Sequence, residues 1–71
     1  VYLLAKLKRS LNASDVNELS KLLFSEKPLF QASALYVIEE VLQFYFEKDP
    51  VVYKTNDYYN FLLFVFFLIL S

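Results

Sequence analysis

Residues 61–70 read FLLFVFFLIL, a run of ten apolar residues that no polar group interrupts. A helix that is apolar on every side has no face for water, so it belongs in a protein core, in a subunit interface or in lipid. A bilayer span needs about 20 mostly apolar residues, whereas residues 58–70 cover roughly 20 Å of a hydrocarbon layer that is about 30 Å thick. The run therefore predicts a helix that is covered by protein, with a membrane anchor at residues 58–70 as the alternative.

The whole chain is unusually apolar for its size. Of its 71 residues, 58% are hydrophobic and 20% are aromatic, whereas an average soluble domain is about 45–50% apolar. A chain this short hides only about 60% of the surface that it exposes when unfolded. We therefore expect residues 1–71 to form a single small helical domain that is a segment of a larger protein or assembly.

The residue types that are missing argue against most chemistry. Without His and Cys, the chain lacks the commonest general base, the thiolate nucleophile and the usual zinc ligands. Without Gly, it cannot build a phosphate-binding loop or a dinucleotide fingerprint. The net charge is -1, and no basic stripe marks a nucleic-acid interface. We expect no catalysis, no cofactor, no metal, no nucleic acid and no small-molecule substrate.

The same composition favours helices, because tight β-hairpins commonly use Gly at positive φ. The leucines near the amino terminus recur at helical spacing, and Asn12 or Ser14 is suited to cap a second helix. Pro28 fits the first turn of a third helix, which should end before Pro50. Residues 51–53 read as an extended connection, and residues 54–57 as a loop that ends in a helix cap.

These signals predict an all-α fold, a small bundle or a solenoid-like piece of three or four helices. The predicted helices cover about residues 2–11, 14–24, 28–48 and 56–70. A run rich in Phe, Leu and Val is also compatible with a buried strand, so a strand at residues 61–70 stays an alternative at this point.

Two groups of charged residues invite a functional interpretation. Glu39 and Glu40 are the only paired carboxylates, but adjacent positions on a helix point about 100° apart and do not face each other. Lys6, Lys8 and Arg9 lie among the leucines of the first predicted helix, as on the wet face of an amphipathic helix. We interpret both groups as solvated surface.

The hydrophobic run is the strongest candidate for a functional surface. The tyrosines that precede it suit either the rim of a protein core or the headgroup region of a membrane. The predicted partner-contact residues are Tyr58, Tyr59, Phe61, Phe64, Phe66, Phe67 and Leu68.

The chain is therefore predicted to be a non-catalytic helical interaction or scaffolding module that binds a protein partner or a second copy of itself. The alternative is a small subunit or fragment of a membrane complex that is anchored by residues 58–70. An intracellular location is favoured, with membrane association as the alternative.

Overall fold

The computed structural model describes residues 2–70, which form five α-helices joined by short turns. The helices are α1 (Tyr2–Arg9), α2 (Ala13–Leu23), α3 (Pro28–Lys48), α4 (Pro50–Thr55) and α5 (Asp57–Leu70). The long helix α3 lies at the centre and contacts all four others, while α1 packs on α2 and α4 packs on α5. The predicted all-α bundle is confirmed, and the hydrophobic run is a helix rather than a strand.

The turn between α1 and α2 is set by Asn12. Its side-chain Oδ1 accepts a hydrogen bond from the backbone N–H of Asp15 at 3.0 Å, which satisfies one of the donors left open at a helix start. This cap requires extended backbone at Asn12, with φ -112° and ψ 165°. The first helix therefore ends at Arg9, two residues before the predicted end, although Leu11 still reaches the core.

The helix that the sequence does not predict is α4. It lies where the sequence indicates an extended connection and a loop. Asp49 accepts a hydrogen bond from the N–H of Val52 at 3.3 Å, and Pro50 occupies the first helical turn of α4. Val52 packs against the core, and such packing outweighs the low helix propensity of a β-branched residue. The predicted count of three or four helices is therefore too low by at least one.

The core is formed by apolar stripes that converge on α3. The most completely buried large side chains are Leu7, Leu19, Ile38, Val41 and Leu62. Among the described residues no polar or charged side chain is buried. On α3, Gln43 and Glu47 are exposed and Glu40 is half-buried. Not every apolar residue of this helix reaches the core, since Phe30 and Phe46 are 40% and 60% exposed.

Two buried tyrosines join the core to backbone carbonyls. The hydroxyl of Tyr45 donates to the carbonyl of Leu7, which ties α3 to α1. The hydroxyl of Tyr59 donates to the carbonyl of Leu42 at 3.3 Å, which ties α5 to α3. Burial raises the pKa of both phenols above 10.0, with a smaller contribution from Asp49 at Tyr45.

We expect alkaline pH to destabilise the fold through these two phenols. The stabilisation from a phenol whose pKa is raised in the folded state is fully present below the unfolded pKa of about 10. It is lost as the pH rises through the folded pKa. Chemical denaturation at pH 8 and pH 11 measures the loss in the free energy of unfolding. A Tyr45→Phe, Tyr59→Phe variant is the control: it should be less stable at pH 8 by about 1 kcal/mol per lost hydrogen bond and should lose less stability on going to pH 11. An equal loss in both proteins would contradict the assignment.

Candidate interaction surface

Helix α5 buries only one of its sides. Tyr59, Leu62 and Val65, spaced three residues apart, are 3%, 1% and 7% exposed on the side of the helix that packs against α3 and α4. At about 100° per residue, the opposite side carries a second apolar set, and the fold leaves that set uncovered. We call it the outer face of α5, and it consists of Phe61, Phe64, Phe67 and Leu68.

The outer face is strongly exposed. Phe64, Phe67 and Leu68 are 65%, 62% and 62% exposed, and Phe61 is 44% exposed. Ile69 and Leu70 are also exposed, but they follow Leu62 by seven and eight positions and so continue the inner side of the helix. The first turn contributes the polar residues Asp57 and Asn60, and beyond them the face has no polar side chain.

The predicted contact residues divide into three groups. Phe61, Phe64, Phe67 and Leu68 lie on the outer face, and Tyr58, at 37% exposed, lies at its edge. Phe66 is half-buried and packs against the core. Tyr59 lies within the core, so its grouping with the contact residues is corrected: Asn56 caps its backbone N–H at 3.0 Å, and its ring turns inwards to donate to α3.

The outer face continues into a groove between α5 and α2. The groove has a volume of about 340 Å³ and is lined by Val16, Asn17, Ser20, Asp57, Tyr58 and Phe61. Asn17 and Ser20 also line a neighbouring hollow that ends at Phe24, which is 72% exposed. The sequence gives no sign of this groove, because it depends on how α2 and α5 are both placed against α3.

The electrostatic surroundings of the outer face differ from those of other exposed rings. The Lys6 ammonium lies 4.8 Å from the centre of the Tyr2 ring, and the Lys27 ammonium lies 5.2 Å from that of Phe30. Such cation–π contacts keep a ring in a hydrated, charged environment. Within residues 2–70, no lysine or arginine makes such a contact with a ring of α5. Beyond Asp57 and Asn60 in its first turn, the outer face is thus apolar, and no cation among the described residues contacts its rings.

Two of the basic residues singled out from the sequence contact other residues of the chain. Lys6 bridges α1 to α2 through Asp15 at 3.6 Å and Glu18 at 3.5 Å. Partial burial lowers the pKa of its ammonium, but these carboxylates outweigh that effect, and the pKa is raised above 10.5. The Lys8 ammonium lies 5.3 Å from the centre of the Phe44 ring.

The paired carboxylates do not form a site with one another. Glu39 is exposed, whereas Glu40 is half-buried in a shallow groove with Lys8 and Gln43. Within the described part of the chain, no three acidic residues, His or Cys lie close enough to hold a metal ion. No helix among residues 2–70 combines the length and apolar character needed to cross a membrane.

These features define a small all-α bundle with one uncovered apolar helix face. No protein-family model, curated protein or solved structure matches the chain. Its function is therefore inferred from its own surface.

Proposed function

We propose that this chain is a non-catalytic helical interaction or scaffolding module that packs against a protein partner through the outer face of α5. The observation that carries the proposal is the exposure of Phe64 and Phe67, at 65% and 62%, on a face whose residues beyond its first turn carry no charge. Burying a Phe side chain fully is worth about 1.5–3 kcal/mol relative to leaving it in water. Several such rings side by side make association favourable.

The size of the apolar patch supports the same proposal. A free aromatic side chain has a surface of about 200 Å². On this scale the exposed fractions of the four rings leave roughly 400 Å² uncovered; the rings are those of Tyr58, Phe61, Phe64 and Phe67. Leu68 raises the total to roughly 500 Å² if an aliphatic side chain contributes about 100 Å² when fully exposed. Monomers typically expose no apolar patch larger than about 300–600 Å². The patch is thus in the upper part of the range for a chain that stays alone.

The inner side of α5 also supports a role in binding. Tyr59, Leu62 and Val65 fix the helix to the bundle, and Asn56 fixes its first turn. The outer rings are therefore held on a pre-formed helix, so binding costs little backbone entropy. A rigid helix face that presents aromatic side chains matches the helix-packing mode of recognition.

Hydroxyl-radical footprinting of the assembled protein tests the proposal without any substitution. In the single chain, Phe46 and Phe64 are similarly exposed, at 60% and 65%. We expect assembly to protect Phe64 and Phe67 from oxidation, because a partner covers them, while Phe46, on α3, remains reactive. Oxidation of Phe64 and Phe67 that matches Phe46 in the assembled protein would contradict the proposal. Protection of Phe64 and Phe67 from oxidation only after phosphatidylcholine vesicles are added would favour the membrane alternative.

A further inference from the structure

We infer that the occupant of the outer face of α5 is a second copy of this chain, packed α5 against α5 about a twofold axis that passes near Phe64. The inference rests on the proposed function and names the partner. In a twofold dimer each chain contributes the same patch, so the patch must be complementary to itself. Size, charge and the arrangement of the aromatic residues are the three properties that decide this.

The size of the patch matches one side of a dimer. A stable interface buries about 800 Å² on each partner, and homodimer interfaces are about 65% apolar. The roughly 500 Å² of apolar surface on the outer face of α5 thus accounts for most of one side. The neighbouring polar residues Asn17, Ser20 and Asn60, which are exposed or half-buried, are placed to form the rim.

The charge of the patch permits self-association. Residues 61–70 contain no charged residue, and antiparallel pairing about Phe64 places the two copies of Asp57 at opposite ends of the interface, so like charges do not meet. The net charge of the whole chain is only -1, and a net charge near zero promotes association. An antiparallel arrangement also brings the positive amino-terminal end of one α5 towards the negative carboxyl-terminal end of the other.

The aromatic residues are arranged evenly about the centre of the patch. Phe61 and Phe67 each lie three residues from Phe64, and Phe64 is the most exposed of the three. A twofold axis at Phe64 therefore places that residue beside its own copy, with a flanking ring on either side. Aromatic pairs of this kind contribute about 0.5–1.5 kcal/mol beyond the area that they bury.

A single engineered thiol tests the pairing directly. The chain contains no Cys, so a Phe64→Cys variant carries one thiol, which lies near its copy if the axis is placed as inferred. A disulfide needs Cα atoms about 4.4–6.8 Å apart. We expect Phe64→Cys at tens of micromolar to form a disulfide-linked dimer in oxidised glutathione. Its rate should exceed that of a Val51→Cys control by roughly 100-fold, because pairing raises the local thiol concentration to about the millimolar range.

The control is matched in exposure, since Val51 is 68% exposed but lies on α4, away from the outer face. Circular dichroism of both reduced variants verifies that they fold, and repeating the oxidation at tenfold higher concentration compensates for any weakening by the lost ring. Equal rates for the two variants at both concentrations would overturn the inference. If footprinting still showed protection of Phe64 in the native assembly, the proposed function would stand and the partner would be a different protein.

Discussion

Leu42→Ala lowers the free energy of unfolding by about 2–5 kcal/mol, the usual cost of removing a buried leucine side chain and leaving a cavity. Leu42 is 7% exposed on the inner side of α3, and its carbonyl accepts the hydroxyl of Tyr59. The position therefore lies where α3 and α5 meet. A domain of this length is stable by only about 4–10 kcal/mol in total, so the variant should be largely unfolded at moderate temperature.

Glu40→Ala is the matched control, two positions away on the same helix. Glu40 is half-buried, and no hydrogen bond or ion pair to it is found among residues 2–70. Its replacement should change stability by less than about 0.5 kcal/mol. Thermal unfolding followed by circular dichroism measures both variants, and a larger effect at Glu40 than at Leu42 would show that the faces of α3 are wrongly assigned.

The second large effect is expected when an aspartate replaces Val65 or Phe64, two adjacent residues of α5. The two substitutions should have different consequences. Val65→Asp should unfold the bundle, because Val65 is 7% exposed and an unpaired buried carboxylate costs several kcal/mol. Phe64→Asp should leave the bundle folded, because Phe64 points outwards and is 65% exposed. It should instead abolish association, since the same carboxylate would then be buried against the partner without a cation.

Far-ultraviolet circular dichroism distinguishes the two variants at one concentration. We expect Phe64→Asp to retain the helical signal of the unsubstituted chain and Val65→Asp to lose much of it. Because the two substitutions introduce the same charge into the same helix, intrinsic helix propensity does not explain a difference between them. Loss of helical signal in both variants would mean that Phe64 is a core residue, contrary to the exposure found here.

Much of this fold is predictable from the sequence because its signals are local. The leucine spacing of α1, the side-chain cap at Asn12, Pro28 in the first turn of α3 and the run in α5 each act within a few residues. The helix α4 is not predictable in this way. Its valines favour extended backbone, and only the Asp49 cap and packing against α3 make the segment helical.

The candidate surface is predictable in location but not in detail. The uninterrupted apolar run indicates that α5 needs cover, but a helix that is apolar all round gives no periodicity by which to separate its two sides. Tyr59 is assigned to the wrong side for that reason. Phe24 and the groove between α2 and α5 are missed because they become neighbours only through packing on α3.

Light scattering of the purified chain at tens of micromolar, without detergent or partner, tests most directly the claim that two copies of the chain associate through the outer face of α5. One chain has a mass of 8.4 kDa. We expect the unsubstituted chain to have twice that mass and Phe64→Asp to have the mass of a single chain. A stable monomer for the unsubstituted chain, or the same associated mass for Phe64→Asp, would contradict the claim.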